Sequence, residues 1–364
     1  MYLKRSFAHI LNPLRLSSEE IEELRVNRES ELAVCVESII DKKQNVLLYG
    51  KRGAGKTFLT RLIEIKIKQL DMFAFPISIN MTGLLAYNFG EHENASAFPR
   101  AILIQICAEI WKQLFGKDYL ELREALSETI QEIGLLSKAE STLKRIYANL
   151  MISQQKARKE WSNTLGFSAG AKGEMKRGDI IEQSNSDILP FEFLEFVDAI
   201  NKYVLPEFNK SRIIVLCDEA NHLPFFNQHE ILERYLELFS AKSIQFLFVA
   251  GFLSFESINE LPMSFETRLE LKGFSKVEHV VEFIDRIDCE NLRFSRSAID
   301  VLFTYFEGHP RMTLEACQRA IYKVKERNLE EVSDEAMELA CVLLKEESAR
   351  YNQELQSERN NLKK

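Results

Sequence analysis

Residues 45–57 read Asn45-Val46-Leu47-Leu48-Tyr49-Gly50-Lys51-Arg52-Gly53-Ala54-Gly55-Lys56-Thr57. An apolar run rich in strand formers ends at Gly50, and two further glycines, Gly53 and Gly55, then lead to Lys-Thr and a stretch of helical period. The pattern is GxxxxGK[ST] between a buried strand and a helix, the context that motif requires. Glycine lets the backbone curl so that successive N–H groups face an anion. The helix N-terminus adds a favourable dipole. Lys56 has the length and charge to reach β- and γ-phosphates, and the Thr57 hydroxyl can ligate Mg²⁺. Gly50, Lys51, Arg52, Gly53, Ala54, Gly55, Lys56, Thr57 and Phe58 are therefore the expected binding residues for Mg²⁺ and ATP.

Outward from this loop, residues 213–219 (Ile-Ile-Val-Leu-Cys-Asp-Glu) form an apolar run ending in two carboxylates. Asp218 is placed to hold the metal through water, and Glu219 to polarise the water that attacks the γ-phosphate. Further buried strands are expected at residues 73–79 and 244–249, with a fifth at 268–271. Helical patterns lie between them, so the fold class is α/β with a parallel sheet of about five strands built from βαβ units. The gap between the second and third strands must hold an insertion, at 118–190. Residues 118–160 read as helical and 163–183 as a β-hairpin. Residues 98–115 read as a strongly amphipathic helix, and everything after Gly273 as helical, with a polar tail over the last 19 residues.

The arrangement resembles the AAA+ ATPases, with Lys56 and Thr57 matching their Walker A and Asp218 and Glu219 their Walker B. Asn80 falls where many members carry a polar residue that hydrogen-bonds the catalytic Glu; a strand-terminal turn Asn is the alternative. Gly308-His309-Pro310-Arg311 looks like the sensor-2 motif of the lid, which implies that Arg311 touches the γ-phosphate. Asn27-Arg28-Glu29 is similar to a box in the origin-recognition and transposition branch that helps seat the adenine, which implies a nucleotide role for Arg28. Arg268 stands where an arginine finger would enter a neighbouring subunit's site; the alternative is a surface Arg paired with Glu266 or Glu270. The resemblance spans roughly residues 10–325, with 118–190 unmatched. Ser254 is the nearest polar residue to the expected sensor 1. The lid is followed by only about 40 residues, short of a winged-helix DNA-reading module.

These readings divide the chain into an N-terminal segment with its box helix (1–44), an ATPase core (45–273), a helical lid (274–327) and a C-terminal helix with a polar tail (328–364). The 46% of hydrophobic residues supplies a sizeable core. The net charge of −8 argues against a whole surface that grips nucleic acid. Cys35, Cys107, Cys217, Cys289, Cys317 and Cys341 show no metal-ligand spacing and read as reduced thiols of a cytoplasmic protein. No signal peptide, transmembrane helix or other membrane association is expected.

Residues 138–178 hold nine basic residues against Glu140, Glu160 and Glu174, a net +6 on a remainder of −14. Such asymmetry fits an anionic partner, either nucleic acid or an acidic protein surface, or else a solvated helical face. The expected function is a Mg²⁺-dependent, ATP-hydrolysing regulatory switch. It would form a homo-oligomer and control a separate effector protein in bacterial defence or mobile-element biology. The alternatives are a DNA-bound loader or transposition-type ATPase, and a STAND-like switch with little turnover.

Overall fold

The computed structural model describes residues 10, 12–80, 98–116, 138–147, 149–150, 190–218, 238, 241–251, 265–287, 292–327 and 329–362. Among them run α1 (Ser18–Glu23), α2 (Glu29–Ile40), β1 (Val46–Tyr49), α3 (Lys56–Leu70), β2 (Ala74–Asn80), α4 (Phe98–Phe115), α5 (Pro190–Tyr203), β3 (Arg212–Asp218), β4 (Ile244–Val249) and β5 (Thr267–Glu270). They are followed by α6 (Val277–Asp285), β6 (Arg293–Phe294), α7 (Arg296–Phe306), α8 (Pro310–Glu326), β7 (Glu331–Val332) and α9 (Asp334–Leu362). β1 to β5 form one five-stranded parallel sheet in the order β2-β3-β4-β1-β5, the α/β class expected. The chain divides into two compact units: Met1–Val36, Leu48–Ile65 and Leu269–Lys364 in one, Glu37–Leu47 and Lys66–Arg268 in the other.

In the second unit, β2 pairs with β3 from Ala74↔Arg212 to Asn80↔Asp218. β3 pairs with β4 from Ile213↔Ile244 to Cys217↔Phe248. Ile213–Cys217 and Ile244–Val249 are buried throughout, which a parallel sheet covered on both faces demands. At the head of β3, Arg212 binds Asp71 at 2.6 Å and donates to the carbonyls of Ile39 and Ile40. Asn45 is buried and its Oδ1 accepts from the Phe246 N–H at 2.7 Å, which anchors the residue just before β1 to β4.

Helix α4 departs from the amphipathic pattern expected. Ala101–Ile104, Ile106, Cys107, Ile110 and Trp111 are all buried, and only Lys112 and Gln113 are exposed near its end. Its apolar residues go all round, so it is embedded in the core rather than laid on it. Residues 138–147 and 149–150 are helical and bury Ala139, Leu143, Ile146, Tyr147 and Leu150. Two basic residues of the +6 segment lie here against aromatic rings, Lys138 over Tyr203 at 4.5 Å and Lys144 over Trp111 at 5.6 Å. The expected hairpin at 163–183 lies outside the described residues, as do Lys156, Arg158, Lys159, Lys172, Lys176 and Arg177.

In the first unit, a reciprocal capping box starts α1: Ser17 Oγ accepts from the Glu20 N–H while the Glu20 carboxylate accepts from the Ser17 N–H. Beyond Gly273 the chain is not wholly helical, because β6 and β7 pair in parallel. Two-residue strands are too short to leave a period in the sequence. The residues expected as a polar tail continue α9 to Leu362. Arg319 and Glu347 close a bidentate pair between α8 and α9 at 2.7 and 2.6 Å. Cys35, Cys107, Cys217, Cys317 and Cys341 are buried and unbridged. Among the described residues no helix is long and apolar enough to cross a membrane.

Candidate nucleotide site

The loop between β1 and α3 is shaped by its glycines. Gly50 has φ +152°, and a Cβ there would sit 2.4 Å from the Leu271 carbonyl oxygen. That crowding follows from the Leu271 N–H donating to Tyr49 O at 2.7 Å beside it. Gly53 has φ +84° and Gly55 +95°, values that L side chains rarely adopt.

Each carbonyl from residue 50 to residue 55 accepts a hydrogen bond. Lys56 Nζ donates to Gly50 O at 2.8 Å and to Lys51 O at 3.0 Å. The Arg52 carbonyl accepts from His309 Nε2 at 2.7 Å, and that of Gly53 from the Arg311 N–H at 3.3 Å. The Ala54 carbonyl accepts from Arg28 Nη2 at 3.1 Å, and that of Gly55 from the Leu59 N–H at 2.9 Å. Carbonyl oxygens would repel a polyanion, and here they are held by donors of the protein. The loop therefore fits phosphate, with Lys56 able to exchange two neutral acceptors for a charged one. Thr57 lies in the first turn of α3, half-buried.

Arg28 is almost fully buried. Its Nη1 meets Glu31 at 2.9 Å, and its Nη2 donates to Ala54 O and to Lys272 O, the latter at 2.8 Å. Its guanidinium also stands 5.8 Å from the Phe274 ring centroid. Burial draws the Arg28 pKa below its ordinary value, against the opposing pull of Glu31 and Glu29. In this geometry Arg28 staples the box, the phosphate loop and the segment after β5.

The turn between α7 and α8 closes the loop's other side. Glu307 and Gly308 take φ +50° and +70°. The Phe274 N–H donates to Gly308 O at 2.7 Å, and a Cβ on Gly308 would lie 2.2 Å from Phe274 O. His309 caps α8, its Nδ1 accepting from the Met312 N–H at 3.4 Å. The Arg311 side chain is exposed and paired with Glu315 at 2.7 Å.

Asn80 and Asp218 end β2 and β3, and Asp218 is buried. Glu219 and Ser254 lie outside the described residues. Arg268 sits inside β5, one residue further in than expected, and its Nε donates to Phe265 O at 3.1 Å. His309 stands inside the motif at 308–311, but its bond to the Arg52 carbonyl leaves no mark in the sequence, and neither do the partners of Arg28, Glu31 and the Lys272 carbonyl.

No family model matches the chain, and no curated protein does. Solved structures do. The Aeropyrum pernix ORC1 protein, in complex with DNA, is 14% identical with a TM-score of 0.48, over 93% of this chain and 71% of that one. The ADP form of the Aeropyrum pernix ORC2 protein is 13% identical with a TM-score of 0.46, over 88% and 72%. The Thermotoga maritima RuvB Holliday junction branch migration motor is 12% identical with a TM-score of 0.40, over 90% and 70%. At these values the likenesses carry no argument about the site or its chemistry.

Proposed function

We propose that the protein is a Mg²⁺-dependent, ATP-binding and ATP-hydrolysing switch of the AAA+ type. The observation that carries this is the phosphate loop, whose carbonyls from 50 to 55 are all held by donors of the protein while its glycines curl between β1 and Lys56. The loop binds and orients the phosphates, with Thr57 and Asp218 serving the metal and Glu219 orienting the attacking water. Bound Mg²⁺ neutralises charge on the phosphate oxygens.

In this reading residues 1–44 supply the box, 45–273 the ATPase core and 274–327 the lid, with 328–364 following as a C-terminal helix. The chain works in the cytoplasm as a homo-oligomer that controls a separate effector, in bacterial defence or mobile-element biology. The test is calorimetry with Mg²⁺ and ATP. Removing a charged hydrogen-bond donor costs about 1.5–3 kcal/mol, so Lys56→Ala should weaken binding by roughly 10–150-fold. Unchanged affinity in that variant would sink the assignment. Multiple-turnover phosphate release separates this switch from one that holds nucleotide with little turnover.

A second reading, a DNA-bound ATPase, is favoured by the +6 charge of residues 138–178. Reversing Lys156, Arg158 and Lys159 to Glu should then spare basal hydrolysis and weaken duplex binding. The wild-type affinity should fall with salt by nearly one logarithmic unit per phosphate contact. Duplex affinity unmoved by both salt and charge reversal would exclude it.

A further inference from the structure

We propose that His309 is a positioning residue of the nucleotide site, its imidazole tying the Arg52 carbonyl to the α7–α8 turn so that loop shape and turn position change together. The inference rests on reading residues 50–57 as the nucleotide loop. A carbonyl only accepts, so the 2.7 Å contact makes His309 Nε2 the donor. Nδ1 accepts from the Met312 N–H, so one neutral tautomer serves both bonds. The ring therefore spans a fixed distance between the start of α8 and the phosphate loop.

Next to Arg52, Gly53 leaves no slack. A Cβ there would lie 2.5 Å from His309 Cε1 and 2.8 Å from Arg311 Cβ. The Arg311 N–H adds a bond to Gly53 O. A shift of the turn thus drags residues 52 and 53. By linkage, nucleotide that favours one loop shape favours one turn position, and the turn returns the same factor to nucleotide affinity.

Two replacements separate this role from the capping role. His309→Asn keeps an acceptor near the place of Nδ1 but is too short to reach Arg52. His309→Gln places an amide N–H near the place of Nε2 but caps poorly. Affinity for Mg²⁺-ATP and the nucleotide-free thermal midpoint are measured on the full chain. His309→Asn should lose about 5–10-fold in affinity at a midpoint near wild type, a coupling of about 1 kcal/mol. His309→Gln should bind as the wild type does despite a lower midpoint. Affinity losses that merely follow the midpoints would overturn the proposal. So would full affinity in His309→Asn while Lys56→Ala is weakened. Equal binding by the wild type and Lys56→Ala would overturn the nucleotide reading itself, and this inference with it.

Discussion

Asn80 and Asp218 are register partners at the carboxyl ends of neighbouring parallel strands, β2 and β3. Side chains at paired positions share a face of the sheet, so an amide and a buried carboxylate stand side by side. This pairing places a polar group next to the acidic strand end from which Glu219 follows. Glu219→Gln should keep ATP bound and slow hydrolysis by about 10²–10⁴-fold, since it loses the base and not the loop. Asp218→Asn should weaken the Mg²⁺ dependence of binding. Asn80→Ala should slow turnover without loosening ATP. Phosphate release alongside calorimetry separates the three, and a wild-type rate in Glu219→Gln would place the base elsewhere.

Arg268 lies on β5, the edge strand of the sheet, with its Nε on the Phe265 carbonyl. If it completes a neighbouring subunit's site, specific activity should rise with protein concentration. Mixing Arg268→Ala with Glu219→Gln subunits should restore part of the activity, because some interfaces then pair an intact finger with an intact base. Co-assembly with no recovered activity would count against action between subunits.

Two glycines with similar backbones make a matched pair for stability. Gly308 and Gly116 have φ +70° and +65°. A Cβ on Gly308 meets Phe274 O at 2.2 Å, whereas one on Gly116 meets nothing within 4 Å. Gly116→Ala should cost only the strain of its backbone, about 1 kcal/mol. Gly308→Ala must also displace main chain and should lower the thermal midpoint by several degrees more. Equal midpoints would show that the turn shifts without cost.

His309 should give stability a pH dependence. Burial lowers its pKa, and the charges of Lys51 and Arg311 act in the same direction against the raising effect of its bond to Arg52. The folded chain then binds fewer protons than the unfolded chain in the window below the ordinary histidine value, about 6.5. His309's contribution is fully present above that value and is lost as the pH falls through the folded pKa. Denaturant midpoints between pH 5 and 8 should fall more steeply on the acid side for the wild type than for His309→Gln. Parallel curves would refute this.

The inner strands were legible because burial on both faces leaves an apolar run, unbroken in residues 213–217 and interrupted only by the buried Gln245 in 244–249, whereas β5 is half-buried throughout. The loop at 50–57 was legible because its pattern is local: three glycines, two lysines and a threonine within eight residues between a strand and a helix. Helix α4 misled because its polar residues imitate an outer face, while Trp111 and Ile110 are as buried as Ile102. The ties that shape the loop were illegible for a different reason. Their acceptors are backbone carbonyls, such as that of Lys272, and a carbonyl carries no residue type to read. The donor lies 244 residues away from it, at Arg28.

That separation bears on how the site is made during synthesis. The phosphate loop is complete early in the chain, yet Arg28 holds it against Lys272, and His309 and Arg311 hold it from roughly 250 residues beyond Lys56. At about 5–20 residues per second, a ribosome needs on the order of 10–50 s to deliver those partners after the loop has emerged. On the proposed function nucleotide capture is thus a late event in translation, and a nascent chain stalled before Gly308 should carry the motif with weakened affinity for ATP. A product cut short before the α7–α8 turn would lack the donors that hold the Arg52 and Gly53 carbonyls, so the shape of an early loop depends on sequence made about 250 residues later.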